Sequence, residues 1–155
     1  MVEIDPLIIG RRTGGIPKKI LVDYVKQGKK NRQKGAQFEL KTRKWLEKRG
    51  WVVARWNNTV DEFGFIPAKY NRFRNGTTGF PDFIAFKKGG YGYMLRFVEC
   101  KCNGRLDKKE KEILRWMSEE GHMCFVFYND EGEINYRKFV EYEGSRKTFR
   151  KATWD

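Results

Sequence analysis

Histidine is nearly absent from this chain, cysteine is scarce, and no apolar run reaches membrane-spanning length. With His122 as the single histidine and no nucleophile-elbow sequence, a Ser–His–acid triad has no basis. The three cysteines, Cys100, Cys102 and Cys124, are an odd number, which argues against a disulfide framework and fits a reducing cytosol. The Gly89-Gly90 pair has no P-loop continuation, so a nucleotide cofactor is not expected. Neither a membrane helix nor a secretory h-region is expected, and internal repeats and low-complexity tracts are missing. Acid is also in short supply: 20 Asp+Glu stand against 33 Lys+Arg, a net charge of +13 on 155 residues. That length suits one domain. The surplus favours a polyanionic partner, through steering and counterion release. No segment joins a basic face to a large apolar one, so nucleic acid fits better than a membrane surface. The abundance of Lys, Arg and Glu also fits a thermophilic source.

The stretch Gly79 to Lys101 organises the rest. Gly79-Phe80-Pro81-Asp82 leads into an apolar run, Phe83 to Phe86; a glycine turn at Gly89-Gly90 precedes a second run, Met94 to Val98, ending in Glu99-Cys100-Lys101. Such a pattern predicts a β-hairpin, here with a loop longer than two residues. Side chains alternate along a strand, so Glu99 and Lys101 share one face and Cys100 takes the other. Asp82, opening the neighbouring strand, reaches the same face as Glu99. Two carboxylates and a lysine then meet at the end of a small sheet, where an unpaired charge is costly. Mutual pairing or a hard cation such as Mg²⁺ would answer that cost.

Residues 1–34 hold nine cations (Arg11, Arg12, Lys18, Lys19, Lys26, Lys29, Lys30, Arg32, Lys34) against Glu3, Asp5 and Asp23, a local +6. Pro17 to Gln27 predicts a short helix with Ile20, Leu21, Tyr24 and Val25 on one face, stopped by Gly28. The segment reads either as a DNA-contacting arm or as a solvated tail with one docked helix. Asn31 to Gly50 is a stronger helix, with Phe38, Thr42, Trp45 and Leu46 on its stripe and Glu39 at the stripe's edge. Trp51 to Trp56 is a strand. Residues 57–78 form an unusually long connection containing Lys69-Tyr70-Asn71-Arg72-Phe73-Arg74. That interleaving suits phosphate contacts and base stacking; the alternative is a loop whose aromatics plug the core edge. After the hairpin, Asp107 and Glu110 form a capping-box start for helix Lys108–Glu120, which carries the chain to strand Met123–Tyr128 by a right-handed crossover. Ile134 to Tyr142 adds a final strand, and 143–155 reads as a loose basic tail. The chain thus divides into a basic arm (1–30), a domain (31–142) and a tail (143–155).

Cys100, Cys102, His122 and Cys124 pose a rival chemistry, structural zinc. Residues i and i+2 of a strand stand about 6.5–7 Å apart, too far for sulfurs that each lie about 2.3 Å from one zinc ion. The cysteines read instead as small core residues under the helices.

Pro81-Asp82 with Glu99-Cys100-Lys101 resembles the Pro-Asp…Asp/Glu-X-Lys (PD-(D/E)XK) nuclease superfamily. Lys34-Gly35-Ala36-Gln37-Phe38-Glu39, followed by Trp45 to Gly50 and Val52 to Arg55, is similar to the opening of archaeal-type Holliday junction resolvases. The resemblance implies an α/β fold with a restriction-endonuclease-like core, a mixed central sheet of about five strands flanked by helices. It implies one or two Mg²⁺ ions, with Mn²⁺ able to substitute, held by Asp82, Glu99, the Cys100 backbone carbonyl and Glu39. In that frame Lys101 positions the attacking water and Arg55 belongs to the active-site region. DNA contacts fall to Arg55, Arg11, Arg12, Lys29, Lys30, Arg32, Lys34, Lys69, Arg72 and Arg74. Symmetric nicks in four-way junctions imply a homodimer, and the family implies a cytoplasmic protein of prokaryotic or viral origin. The long 57–78 connection departs from the compact family pattern. Gly79-Phe80-Pro81-Asp82, Glu99-Cys100-Lys101 and Gly104-Arg105-Leu106 also look like the virus-type replication–repair nuclease branch, which acts on flaps and other branched DNA and usually has Gln where Glu110 stands. A third reading is a nucleic-acid-binding module with a dead nuclease-like site.

Overall fold

A computed structural model describes residues 18–61, 63–67, 79–139, 149–150 and 154. Two compact units divide the chain, Met1–Ala36 and Gln37–Asp155. Helix α1, Lys18–Glu47, crosses that division. Neither Gly28 nor Asn31 marks a helix end, in contrast to the two helices expected from sequence. A lone glycine weakens a helix by about 1 kcal/mol but stops it only where it turns left-handed. Gly28 does not, whereas Gly50 has φ 80° and follows the last turn. In the first unit Ile20, Val22, Tyr24 and Val25 are exposed, as are Lys29, Lys30, Arg32 and Lys34.

The second unit is α/β. Its strands are β1 (Val52–Arg55), β2 (Thr59–Asp61), β3 (Gly64–Ile66), β4 (Phe83–Gly89), β5 (Gly92–Cys100), β6 (Met123–Asp130), β7 (Glu133–Phe139) and β8 (Phe149–Arg150), with α2 (Lys108–Glu119) between β5 and β6. A six-stranded sheet has the order β1-β4-β5-β6-β7-β8, one strand more than expected. Only β5 and β6 run parallel, joined through α2; the other neighbours are antiparallel. The β4–β5 hairpin pairs Gly89 with Gly92, so its loop is the two residues Gly90 and Tyr91, shorter than predicted, with Gly92 at φ 138°.

The sheet separates two cores. On one face Phe38 and Leu46 of α1 pack with Val53, Phe83, Ala85, Val98, Phe125 and Phe127. On the other, Ile113, Leu114 and Met117 of α2 pack with Phe97, Cys124, Val126 and Phe139. The 143–155 segment, read from its sequence as a loose tail, supplies β8 and one deeply buried ring. Trp154 lies 4.8 Å from both Trp51 and Phe125, and its backbone N–H donates to the Tyr136 hydroxyl at 3.1 Å. Around it sits a buried cation: the Arg96 guanidinium stacks on Trp51, Phe125 and Trp154 at 4.7–5.1 Å. Part of the long 57–78 connection is regular, since β2 and β3 form a small hairpin of their own. Phe65 of β3 meets Trp56 at 5.7 Å and His122 at 5.1 Å, so the sole histidine is an aromatic packing partner. Cys100 packs with one core, Cys124 with the other, and Cys102 is exposed, an arrangement that rules out zinc shared among them. No helix among the described residues is long and apolar enough to cross a membrane.

Candidate active site

Asp82 sits one residue before β4, and the Phe83–Val98 pairing places it opposite Glu99 near the end of β5. Backbone and side chain lock the two together. The Asp82 N–H donates to Glu99 Oε2 at 3.2 Å, and the Cys100 N–H donates to Asp82 Oδ2 at 2.8 Å. The Asp82 carbonyl also accepts from the Trp56 N–H at 3.0 Å, tying β1 to the same point.

Lys101 follows β5 and keeps the pleat's direction, so its ammonium lies 3.4 Å from Glu99 Oε1. Its shorter contact is with Glu110 Oε1 at 2.5 Å. Glu110 therefore serves two ends at once. Its Oε2 accepts from the Asp107 N–H at 2.9 Å, and Asp107 Oδ1 accepts from the Glu110 N–H at 2.8 Å, which completes the capping box of α2. A tight turn brings β5 round to this helix. The Gly104 N–H donates to the Lys101 carbonyl, and at φ 67° a Cβ there would stand 3.1 Å from Tyr128 Cβ, so only glycine fits.

Glu39 approaches from the α1 side. Its Oε2 is 3.0 Å from the Arg55 guanidinium, whose side chain is 67% exposed. Glu39 thus leans on Arg55 and does not complete a three-carboxylate group; among the described residues no three or more His, Cys, Asp or Glu side chains converge on one ion position. Its charge is still close enough to act on Asp82.

Electrostatics mark the same spot. Burial, and secondarily the Glu39 charge, push the Asp82 carboxyl from its ordinary 3.8 up to about 6, despite the Cys100 N–H, Lys101 and Arg55. Burial and Asp82 drive the Glu99 carboxyl well above its usual range. Burial works against the Lys101 charge, but the Glu110 hydrogen bond and the charges of Glu99 and Glu110 outweigh it, so its pKa is raised. Lys101 is a fixed cation at neutral pH and no general base. The Cys100 thiol is pushed far up by burial and by Asp82, with Thr42 acting the other way, and is inert.

Two facing, desolvated carboxyls suit a divalent cation that would relieve their mutual repulsion. Mg²⁺ in particular binds through one or two carboxylates while retaining waters. Asp82 and Glu99 fit that pattern, with the Cys100 N–H on Asp82 and Glu39 within electrostatic range.

Sequence reasoning singled out Asp82, Glu99 and Lys101, and the structure brings them together. Arg55 comes alongside through Glu39. Lys29, Lys30, Arg32 and Lys34 lie in the first unit, and Arg11, Arg12, Lys69, Arg72 and Arg74 fall outside the described residues. From sequence Glu110 reads as a cap and as the position where the virus-type branch usually has Gln; its contact with Lys101 is added by the structure. Comparison with protein-family models, curated proteins and solved structures finds no match to this chain.

Proposed function

We propose that the chain is a Mg²⁺-dependent, structure-specific DNA endonuclease built on a PD-(D/E)XK core, acting on four-way junctions as a resolvase. One observation carries the reading: Asp82 and Glu99 face each other at the sheet end with the Lys101 ammonium 3.4 Å from Glu99. In this reading Asp82, Glu99 and the Cys100 carbonyl hold the metal, and Glu39 joins them once it leaves Arg55. When bound, Mg²⁺ supplies Lewis-acid polarisation of the phosphoryl oxygen and a lowered pKa for bound water. Lys101 orients the attacking water and meets the charge that develops on the phosphate, as a preorganised cation does. Arg55, released by Glu39, turns to a backbone phosphate. Net charge of +13 supports polyanion binding.

The contact of Glu110 with Lys101 favours a second reading, because the flap-cutting virus-type branch usually has a polar Gln at that position, although Glu110 leaves that match incomplete. A panel of four-way junction, flap, splayed arm, duplex and single strand, incubated with Mg²⁺, separates the two. Paired symmetric nicks confined to the junction and lost in Asp82→Asn support the resolvase and its homodimer. Cutting of flaps or ends moves the protein to the other branch. Binding without any cleavage, in Mg²⁺ or Mn²⁺, leaves a dead-site binding module and sinks both nuclease readings.

A further inference from the structure

The far end of the β4–β5 hairpin does nothing for the site just described, yet its composition is unusual. Tyr91 is fully exposed and Tyr93 is 74% exposed. Met94 and Leu95 beside them are also partly open to solvent. Gly89, Gly90 and Gly92 surround the two tyrosines, and a Cβ on Gly89 would stand 3.4 Å from the Gly92 carbonyl oxygen and 3.6 Å from Met94 Cγ. The glycines keep the tip thin. A shallow hollow of about 350 Å³ is lined by residues Gly89 to Met94.

Charge decides which partner this surface suits. The sixteen residues between Asp82 and Glu99 include no carboxylate at all, and of their three cations Arg96 is buried with Trp51 and Trp154, Lys87 is half-buried and Lys88 is open to solvent. Lys88 is exposed and lies directly across the strand pair from Tyr93. Lys87 donates to the Arg49 carbonyl at 2.8 Å, which braces the tip against the end of α1. Exposed rings on a stiff ribbon, with Lys88 across from Tyr93 and no acid in the ribbon's sequence, match the stacking platforms that hold unpaired bases.

We propose that Tyr91 and Tyr93 stack on unpaired nucleobases of the DNA, with Lys88 on the adjoining phosphate. The proposal rests on the nucleic-acid reading above and assigns it a substrate feature: an open or splayed base at a fixed distance from the cut. Tyr93 and Glu99 belong to one strand, six residues apart. At about 3.4 Å per residue that is about 20 Å, or about six base steps of a duplex.

The test uses the full chain without metal, so that binding is read apart from cleavage. Forked DNA carrying 2-aminopurine at the unpaired position is titrated alongside blunt duplex. The Tyr91→Ala/Tyr93→Ala double variant should bind the fork about tenfold more weakly, as loss of base stacking implies. It should lose the fluorescence change on binding and hold blunt duplex as the parent does. Tyr91→Phe/Tyr93→Phe keeps the rings and should behave as the parent. Equal fork binding by the alanine variant overturns the proposal, as does an equal loss on fork and duplex. A shift of the alanine variant from dimer to monomer by light scattering overturns it too, in favour of docking against a second copy. Parent protein that binds no DNA removes the nucleic-acid reading and the tip with it. Parent that discriminates the fork through its tyrosines yet never cuts keeps the tip and removes only the nuclease.

Discussion

At one end of the β4–β5 hairpin the chain buries charge; at the other it exposes aromatic rings. Glu99 is 4% exposed, while Tyr91 at the opposite end is fully open to water. Both ends break the rule that a sheet hides its apolar side chains and shows its polar ones. They break it differently. Every charge at the buried end is answered by a partner within the fold: Asp82 by the Cys100 N–H, Glu99 by Lys101, Lys101 by Glu110, and Glu39 by Arg55. The tyrosines at the exposed end present their rings to solvent. Local inconsistency of this sort gathers where sequence serves something besides folding. On the readings proposed above, the buried end serves chemistry within the protein and the exposed end a partner outside it.

The largest effect belongs to the buried end. On the proposed nuclease reading, Asp82→Asn keeps an oxygen for the Cys100 N–H but removes the charge assigned to the metal, so junction cleavage should fall by about a thousandfold or more while DNA binding holds, as loss of a metal ligand's charge implies. Residual cleavage near the parent rate would separate the buried carboxylates from catalysis.

The same substitution should act in the opposite direction on stability. Asp82 is faced by Glu39 on α1, Arg55 on β1, and Glu99 and Lys101 at the end of β5, and burial dominates. Its folded pKa of about 6 lies above the ordinary 3.8, so the folded state holds the proton more tightly than the unfolded one. Stability from this group is therefore complete below about pH 4 and lost as pH rises through 6. The full rise corresponds to about 3 kcal/mol. Metal-free Asp82→Asn should melt above the parent at pH 8, by an amount that shrinks to nothing near pH 4. Mg²⁺ should raise the parent's Tm more at pH 8 than at pH 5, since the ion competes with the proton. A variant that melts below the parent at pH 8 would contradict the burial assigned to Asp82.

Legibility from sequence follows the same division. Two short apolar runs, Phe83–Phe86 and Met94–Val98, set between turn residues sufficed for the hairpin, because these signals are local; the strand pleat is local too. It also put Glu99 and Lys101 on one face, which the 3.4 Å ion pair bears out. What escaped was set by distant parts of the chain. Trp154 stands in a run of cations, and nothing near it tells that Trp51, Phe125 and Phe127 leave a slot for its ring. The preference of Glu39 for Arg55 depends on how α1 lies along β1. Gly28 misled because glycine's tolerance of left-handed backbone was read as a demand for it, while the flanking residues carry α1 straight through.

Glu110 tests whether a capping residue also belongs to the buried end. Glu110→Ala removes both the box and the Lys101 partner and should cost about 1–2 kcal/mol. Glu110→Gln retains an acceptor for the Asp107 N–H and should cost less than half of that. Cleavage should nonetheless fall about tenfold in both variants with KM unchanged, as expected when a positioning contact to the reacting centre is lost. If Glu110→Ala cuts at the parent rate, Glu110 is a cap alone.

The smallest effect is expected at the tip, and its smallness is the point. A side chain as exposed as that of Tyr91 gains almost no burial on folding. Tyr91→Ala and Tyr93→Ala should therefore each change stability by no more than about 0.5 kcal/mol, the range of surface substitutions away from special features. Gly92→Ala supplies the contrast at the same tip: at φ 138° it forces an L-residue into strained backbone, and it should destabilise by about 1 kcal/mol or more. Chemical denaturation of the three variants gives the comparison directly. If the tyrosine variants unfold as readily as Gly92→Ala, the rings hold the hairpin together and need no partner. If only the glycine matters, folding specifies the backbone of the tip and leaves its two rings to whatever they meet.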